Sequence, residues 1–333
     1  MANGKPSLSP SQCASDFDAF YQQPFLTACS DEIASRPIMV LTTDGKGIVM
    51  RSDSLREGTR KRQQDTNHKL KHRLSFGSKR NRKRMAQVAS IYFIARFVRK
   101  PEDIISDFGR QQIRQTRPRP LSKRIWASVE KDSFLVLLEL FDEAHRRAPT
   151  HSKEWVVLVD GQKYQLNEIK KMANKRNLKI TIILDIIHVI EYLWDAAHLF
   201  FDESSQSCED WVSTKLLDVL NSKGQKIAGS IRMSAAKRNL SEKQRQQAET
   251  CASYLANKKP YMDYQTYLSK GYPIGTGVIE GTCRYLIKDR MDITGARWSL
   301  EGAEAILRLR SIAKSNDFEE YWSFHLTQEF ERT

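Results

Sequence analysis

Along the first half of the chain, apolar residues fall in short runs; along the second they recur mostly at helical spacing. Ile38-Met-Val-Leu-Thr-Thr43 is a continuous apolar and β-branched run. It predicts a buried strand ended by Asp44-Gly45, with Gly47 to Arg51 returning as its hairpin partner. Gln87 to Phe97, β-branched and aromatic, predicts a third strand, and Pro101 to Pro120 a loop with a short helix. Lys123 to Arg147 carries Ile125, Val129, Phe134, Leu137, Leu138 and Phe141 at helical spacing, which predicts one long amphipathic helix. Trp155-Val-Val-Leu-Val159 reads as a buried strand running into Asp160-Gly161, Tyr164 to Arg176 as a helix, and Lys179 to Leu184 as a fifth strand ending at Asp185. From Val189 to about Lys270 the pattern is helical without a strand. Gly271-Tyr-Pro-Ile-Gly-Thr-Gly277 is then a tight loop, and a helix carrying Glu280 starts at Val278.

Three strands, helix, strand, helix, strand, helical block, helix: without the block, this is the order of a ribonuclease-H-like fold. The expected class is therefore α/β, a mixed sheet with an all-helical insertion before the last helix of the core. The corresponding division is an irregular or partly helical arm at 1–37, a core at 38–188, the insertion at 189–270, and a C-terminal part of the core at 271–333.

Composition narrows the function classes. The 333 residues are 40% apolar and 9% aromatic, enough for a sizeable core. The most apolar stretch, Lys179 to Trp194, is interrupted by Asp185, His188 and Glu191, so no membrane span is expected. The start MANGKPSLSP has no basic region followed by an apolar run, which argues against secretion. Cys13, Cys29, Cys208, Cys251 and Cys283 are scattered and form no CxxC pair, against a disulfide scaffold or zinc ribbon. Lys and Arg number 54 against 40 Asp and Glu, a net charge of +14, and the excess is local. Between Arg51 and Arg124 there are 22 Lys or Arg and 6 Asp or Glu, a net of +16. Its densest parts hold Arg60, Lys61 and Arg62, then Lys79, Arg80, Arg82, Lys83 and Arg84, with Asp65 the sole acid from Arg60 to Arg84. Solvated faces usually mix both signs, so this segment points to phosphate-backbone contact.

Two strands end in Asp-Gly, at Asp44 and Asp160. An Asp at a strand's carboxyl end lies where ligands of open α/β sheets collect, and the glycine permits a sharp turn. With Glu280 from a helix, the three carboxylates would suit two divalent metals, since Mg²⁺ takes a few carboxylates plus water and phosphate oxygens. Glu280, Arg284 and Lys288 recur at i, i+4 and i+8 and share a face, either as an ion-paired exposed helix or as a phosphate-facing one. The preceding glycine loop, open to a phosphate backbone, favours the latter. Asp185 and His188 form D-x-x-H and read as structural or supporting residues. Trp298, after Arg297, is expected to pack rather than stack on a base.

Five blocks carry a resemblance: MVLTTDGKGIVMRSDSLREGTRK, KRNRKRMAQVASIY, WVVLVDGQ, LDIIHVIEYLWDAAHLF and YPIGTGVIEGTCRYLIKDRMDITGARWSLEGAEAILRLRS. In this order, from Met39 to Ser311, they resemble the Kra-type insertion-sequence transposases of bacteria, related to the Mutator-like DDE superfamily. The resemblance implies metal-dependent cleavage and strand transfer at insertion-sequence ends. It places Asp44, Asp160 and Glu280 as catalytic metal ligands for two Mg²⁺ or Mn²⁺ ions. Asp185 and His188 would support them, and a rival assignment makes Asp185 the second catalytic carboxylate. Arg284, Lys288, Arg290 and Arg297 would neutralise nearby phosphates. Transposon ends and target DNA would be the partners, with a homo-oligomer on paired ends, in the bacterial cytoplasm at the nucleoid. Family members often carry more sequence ahead of the first strand. Here end recognition would fall to the basic segment and the insertion, or the copy is truncated. The alternatives are an inactive DNA-binding derivative and a structure-specific nuclease of the same fold.

Overall fold

The structure, a computed structural model, describes the chain apart from residues 1–7, 25–30, 65–81, 109–115, 150–151, 294 and 333. Lys79 and Arg80 lie outside the described residues. The protein is α/β, built on one five-stranded mixed sheet. The strands are β1 (Ile38–Val49), β2 (Lys83–Ile94), β3 (Leu121–Ser128), β4 (Glu154–Val159) and β5 (Ile180–Leu184), in the order β3-β2-β1-β4-β5. β2 runs antiparallel to both β1 and β3, while β4 runs parallel to both β1 and β5.

The element order is the expected one, but two elements are made from other residues. The Asp44-Gly45 pair does not end a strand: β1 continues through it to Val49. There is no hairpin at Gly47–Arg51; the antiparallel partner is Lys83–Ile94, with Asp44 opposite Val88 and Gly47 opposite Met85. The glycines serve this pairing by leaving space. A Cβ on Gly47 would meet Lys83 Cδ at 2.9 Å, and one on Gly45 would meet Met85 Cε at 3.1 Å. The second difference is at Lys123–Arg147, where the chain forms a strand and then a helix. Leu121–Ser128 is β3, and its side chains alternate, with Ile125 and Ala127 in one apolar cluster and Trp126 in another. The helix starts only at Ser133, where the Asp132 carboxylate accepts the Leu135 amide at 2.9 Å and caps it.

Period-2 alternation on the central strands builds two layers. Ile38 and Val40 of β1, with Val156 and Leu158 of β4, face one side; Met39, Leu41, Trp155 and Val157 face the other. The first face is covered by the helices Ile186–Ala197, Gln206–Leu220, Gly224–Ala236 and Glu242–Lys258, so the helical block shares its core with the sheet. The second face is covered by the helices Ser133–Arg147 and Lys163–Lys175. Phe17, Phe20 and Tyr21 of the N-terminal arm pack there with Tyr321 of the Phe318–Arg332 helix. A third cluster, from Ile48, Met50, Ile125, Leu286, Ile287 and Leu307, seats the Glu280-bearing helix on the far end of β1 and β2. No described helix is long and apolar enough to cross a membrane.

Candidate active site

The parallel register decides where the acids sit. Thr42 of β1 pairs with Leu158 of β4, and Val159 of β4 pairs with Leu184 of β5. Continued along the strands, these alignments put Asp44, Asp160 and Asp185 level with one another on three adjacent strands. Hydrogen bonding holds each one differently. Asp44 Oδ1 accepts the Gly45 amide at 2.6 Å, and Oδ2 accepts the Cys283 thiol at 3.2 Å. Asp160 Oδ1 accepts the Gln162 amide at 2.9 Å, across a turn in which Gly161 adopts φ +90°. That second Asp-Gly therefore is the sharp glycine turn expected of it.

Asp185 is 0% exposed and spends its oxygens on structure. Oδ1 accepts the Ile187 amide at 3.0 Å, capping the next helix, and the Thr276 amide at 3.1 Å; Oδ2 accepts the Thr276 hydroxyl. Burial raises its pKa above the usual carboxylate range, against the pull of these donors. Asp185 is in this way the pin that fixes the 271–277 loop to the end of β5, a role helped by the Ile186 amide donating to the Ile274 carbonyl at 2.9 Å. The loop's glycines divide the work. Gly271, at φ +72°, packs on the protein's own backbone, 2.7 Å from the Phe97 nitrogen for an added Cβ, whereas Gly277 faces open space.

Pinned there, the chain enters the Gly277–Thr282 helix and delivers Glu280 to the same edge. Burial raises the Glu280 pKa, and Asp185, Glu191 and Asp44 raise it further, with His188 offsetting them. The His188 imidazole meets Glu191 at 2.9 Å; burial opposes its charging, but the Glu191 bond and the Asp185, Glu191 and Asp160 charges raise its pKa overall. Asp44, Asp160, Asp185, Glu280 and His188 thus share one electrostatic neighbourhood. None of the four carboxylates has a salt bridge to a Lys or Arg among the described residues. Glu280 does not pair with Arg284, which instead lies 3.9 Å from Asp289. The exposed face of Glu280, Arg284 and Lys288 is real: Ile279, Cys283, Leu286 and Ile287 take the buried side. The helix carrying them is π-wound over Cys283–Lys288.

Acids without cations are the donor set a hard divalent ion needs. Asp44, Asp160 and Glu280 do not converge as a trio within 4.8 Å, a closeness reached among the described residues by Asp16, His325 and Glu329. At the tighter group, Arg332 already bonds both oxygens of Asp16, so its charge is answered by the protein itself.

The basic residues separate by role. Arg60, Lys61 and Arg62 lie on the exposed face of the Glu57–Gln64 helix, where Lys61 meets Glu57 at 2.9 Å. Arg84, expected on DNA, is a structural tie: its guanidinium donates to the Val129 carbonyl at 2.8 Å and the Ser54 carbonyl at 3.4 Å. Lys83 is exposed on β2. Arg82 and Arg297, far apart in sequence, meet on either side of Met50. The Met50 amide donates to the Arg82 carbonyl at 2.9 Å, and Met50 forms a parallel bridge with Trp298. Burial and the Arg297 charge lower the Arg82 pKa, and Arg82 Nε is buried without a hydrogen-bond partner among the described residues. Trp298 packs, its indole N–H donating to the Met291 carbonyl at 3.2 Å and its ring covered by Arg290 at 5.4 Å.

Sequence patterns missed Cys283 and Thr276. Both flank Glu280 within four residues, so their proximity to the acids was the available signal; their partners Asp44 and Asp185 were not. Compared with protein-family models, with curated proteins and with solved structures, the chain matches none.

Proposed function

We propose that the protein is a DDE transposase with a ribonuclease-H-like core, cutting and joining DNA at insertion-sequence ends. The observation that carries this reading is the level row of Asp44 in β1 with Asp160 and Asp185 at the ends of β4 and β5, joined by Glu280, with no salt bridge from a Lys or Arg to any of the four among the described residues. The sheet order β3-β2-β1-β4-β5, with β2 the antiparallel strand, is that expected of a ribonuclease-H-like core, and the helical block enters after β5 as an insertion would.

Asp44, Asp160 and Glu280 would hold two divalent ions, Mg²⁺ or Mn²⁺, which would activate water for hydrolysis and stabilise the leaving oxygen. The chain's own residues then have distinct tasks. Cys283 orients Asp44 through its S–H bond, and the Gln162 amide orients Asp160. Asp185 keeps its place as a pin, because its oxygens are saturated by Thr276 and Ile187, which favours Asp160 over Asp185 as the second metal ligand. Arg82 and Arg297 converge to receive a backbone phosphate, and Arg284, Lys288, Arg290, Lys83 and the Arg60–Arg62 face extend that basic surface. The active unit is a homo-oligomer on paired ends.

A labelled duplex spanning the element's terminal repeat, incubated with Mg²⁺ or Mn²⁺ beside an Asp160→Asn control, tests the reading. Metal-dependent nicking and strand joining, both absent from the control, are expected. Nicking without joining would make the protein a structure-specific nuclease. Binding without nicking would make it an inactive DNA-binding derivative. Nicking that survives in the control would move the second ligand to Asp185.

A further inference from the structure

Beside Asp160 a groove of about 700 Å³ runs between the Lys163–Lys175 helix of the core and the Glu242–Lys258 helix of the insertion. Its wall is polar and aromatic, with Asn167, Asn257 and Ser253 beside Tyr192 and Tyr254. The two tyrosines stack at 3.8 Å and 16°. The Tyr254 hydroxyl donates to the Asp160 carbonyl at 3.0 Å, fastening the insertion to the Asp160 turn.

Two cations converge at the mouth. A Cβ on Gly161 would lie 3.3 Å from Lys258 Cε, so the half-buried Lys258 side chain lies across the Gly161 turn, next to Asp160. Lys163, at the start of the core helix, lines the same groove. Burial lowers the Lys258 pKa, Asp160 partly offsets this, and Lys163 lowers it again. Neither lysine has a salt bridge or hydrogen bond among the described residues. The acid of the wall, Glu249, is already spent on Arg232 through bonds of 2.8 and 2.7 Å. Two like charges held together beside a neutral polar wall form a seat for an anion with hydrogen-bonding groups attached. A volume in the small-ligand range admits a short stretch of one strand and is too small for a duplex.

We infer that this groove binds single-stranded nucleic acid, with a backbone phosphate seated between Lys163 and Lys258, and leads the strand past Asp160. The inference rests on the proposed action of the carboxylate edge on DNA, and adds a strand path that the basic segment does not supply. The asparagines offer neutral hydrogen bonds to bases or sugars, and the tyrosines an aromatic wall of the kind that serves strands without sequence preference.

The test uses the full chain and a short fluorescein-labelled oligothymidine, followed by anisotropy across a salt series. Lys163→Gln with Lys258→Gln should weaken binding about tenfold or more at low salt. The double variant should also flatten the salt slope by about 1.4, some 0.7 for each lost phosphate contact on a single strand. Lys258→Arg should retain binding, which separates a lost contact from a lost fold. Unchanged affinity and slope in the double variant would overturn the inference. The same proteins assayed for metal-dependent nicking keep the two claims apart. Strand binding lost in the double variant, with no nicking even by the unaltered chain, sinks the catalytic proposal and leaves the groove. Nicking by the unaltered chain, with strand binding untouched by the double variant, does the reverse.

Discussion

Two clusters of charge, one on the Ser133–Arg147 helix and one at the carboxyl end of the parallel strand pairing, are built on opposite terms. Around Glu143, 2% exposed, Arg124 approaches at 3.1 Å, Arg146 at 2.8 Å and Arg147 at 2.7 Å, and Arg124 also meets Asp317 at 2.9 Å. Burial opposes the ionisation of Glu143, but Arg147, Arg124 and Arg146 outweigh it and hold the carboxyl below its ordinary range. At the other cluster, Asp44, Asp160 and Asp185 are held by amides, a hydroxyl and a thiol, and Glu280 is pushed up by burial and by neighbouring acids. A protein can bury charge cheaply when it brings the counter-charge along. Where it gathers like charges and, among the described residues, ties none of them to a Lys or Arg by a salt bridge, stability was not the purpose of the arrangement.

The contrast breaks most sharply by substitution. Asp44→Asn or Asp160→Asn should lower metal-dependent nicking by about 10³-fold or more, the scale of losing a preorganised group at developing charge. Neither should lower the melting temperature by much, because neither substitution removes a salt bridge present among the described residues. A large drop in melting temperature would show the acids to be structural. Glu143→Gln should do the converse. Removing one member of a buried ion network costs about 3–5 kcal/mol, readable in denaturant unfolding, because the carboxylate shared by Arg124, Arg146 and Arg147 is lost while Arg147 stays buried. An unfolding midpoint unchanged by that substitution would erase the distinction.

Acid should separate the clusters without mutation. The Glu280 pKa is raised, so cation binding, followed by calorimetry, should fade as pH falls through that raised value, ahead of an ordinary carboxylate. Protonating Glu280 relieves its repulsion with Asp185 and Asp44, so the fold does not suffer at that step. Glu143 has a depressed pKa, so its stabilisation is complete above the ordinary carboxylate value and is lost only as pH falls through the lower folded one. Cation affinity should therefore go first and the fold later; the reverse order would contradict both assignments. The smallest effect is expected at Cys283. Cys283→Ala removes the donor to Asp44 Oδ2 and should weaken cation binding about tenfold, the usual scale for a group that orients a ligand, while Cys283→Ser should restore most of it.

Local pattern made much of this legible. Trp155–Val159 and Lys179–Leu184 read directly as strands because both faces of β4 and the inner part of β5 are apolar, and the helical block read as helical. Asp44-Gly45 misled because Asp-Gly is a turn pair by local chemistry, whereas here the glycines make room for Met85 and Lys83, some forty residues away. Ile125 and Val129 misled because a strand with both faces buried followed closely by a helix blurs period 2 into a helical spacing. Asp44, Asp160 and Asp185 could be picked out one by one, but not their common level, which is a property of the parallel register. Cys283, Thr276 and Lys258 matter through what folding brings beside them.

The π-wound segment Cys283–Lys288 gives the Glu280 helix a phase. Leu286, Ile287 and Met291 fix its C-terminal half in the third apolar cluster, so the azimuth of everything upstream depends on how many residues fill the wide turn. An α-helix advances about 100° per residue. Winding the same Cys283–Lys288 residues as ordinary α-helix, with every apolar anchor downstream still in place, would over-rotate the chain by about one residue's advance and turn Glu280 by roughly that angle away from Asp44 and the strand edge. The winding of one helical turn is in this way as much a determinant of the site as the identity of any carboxylate in it.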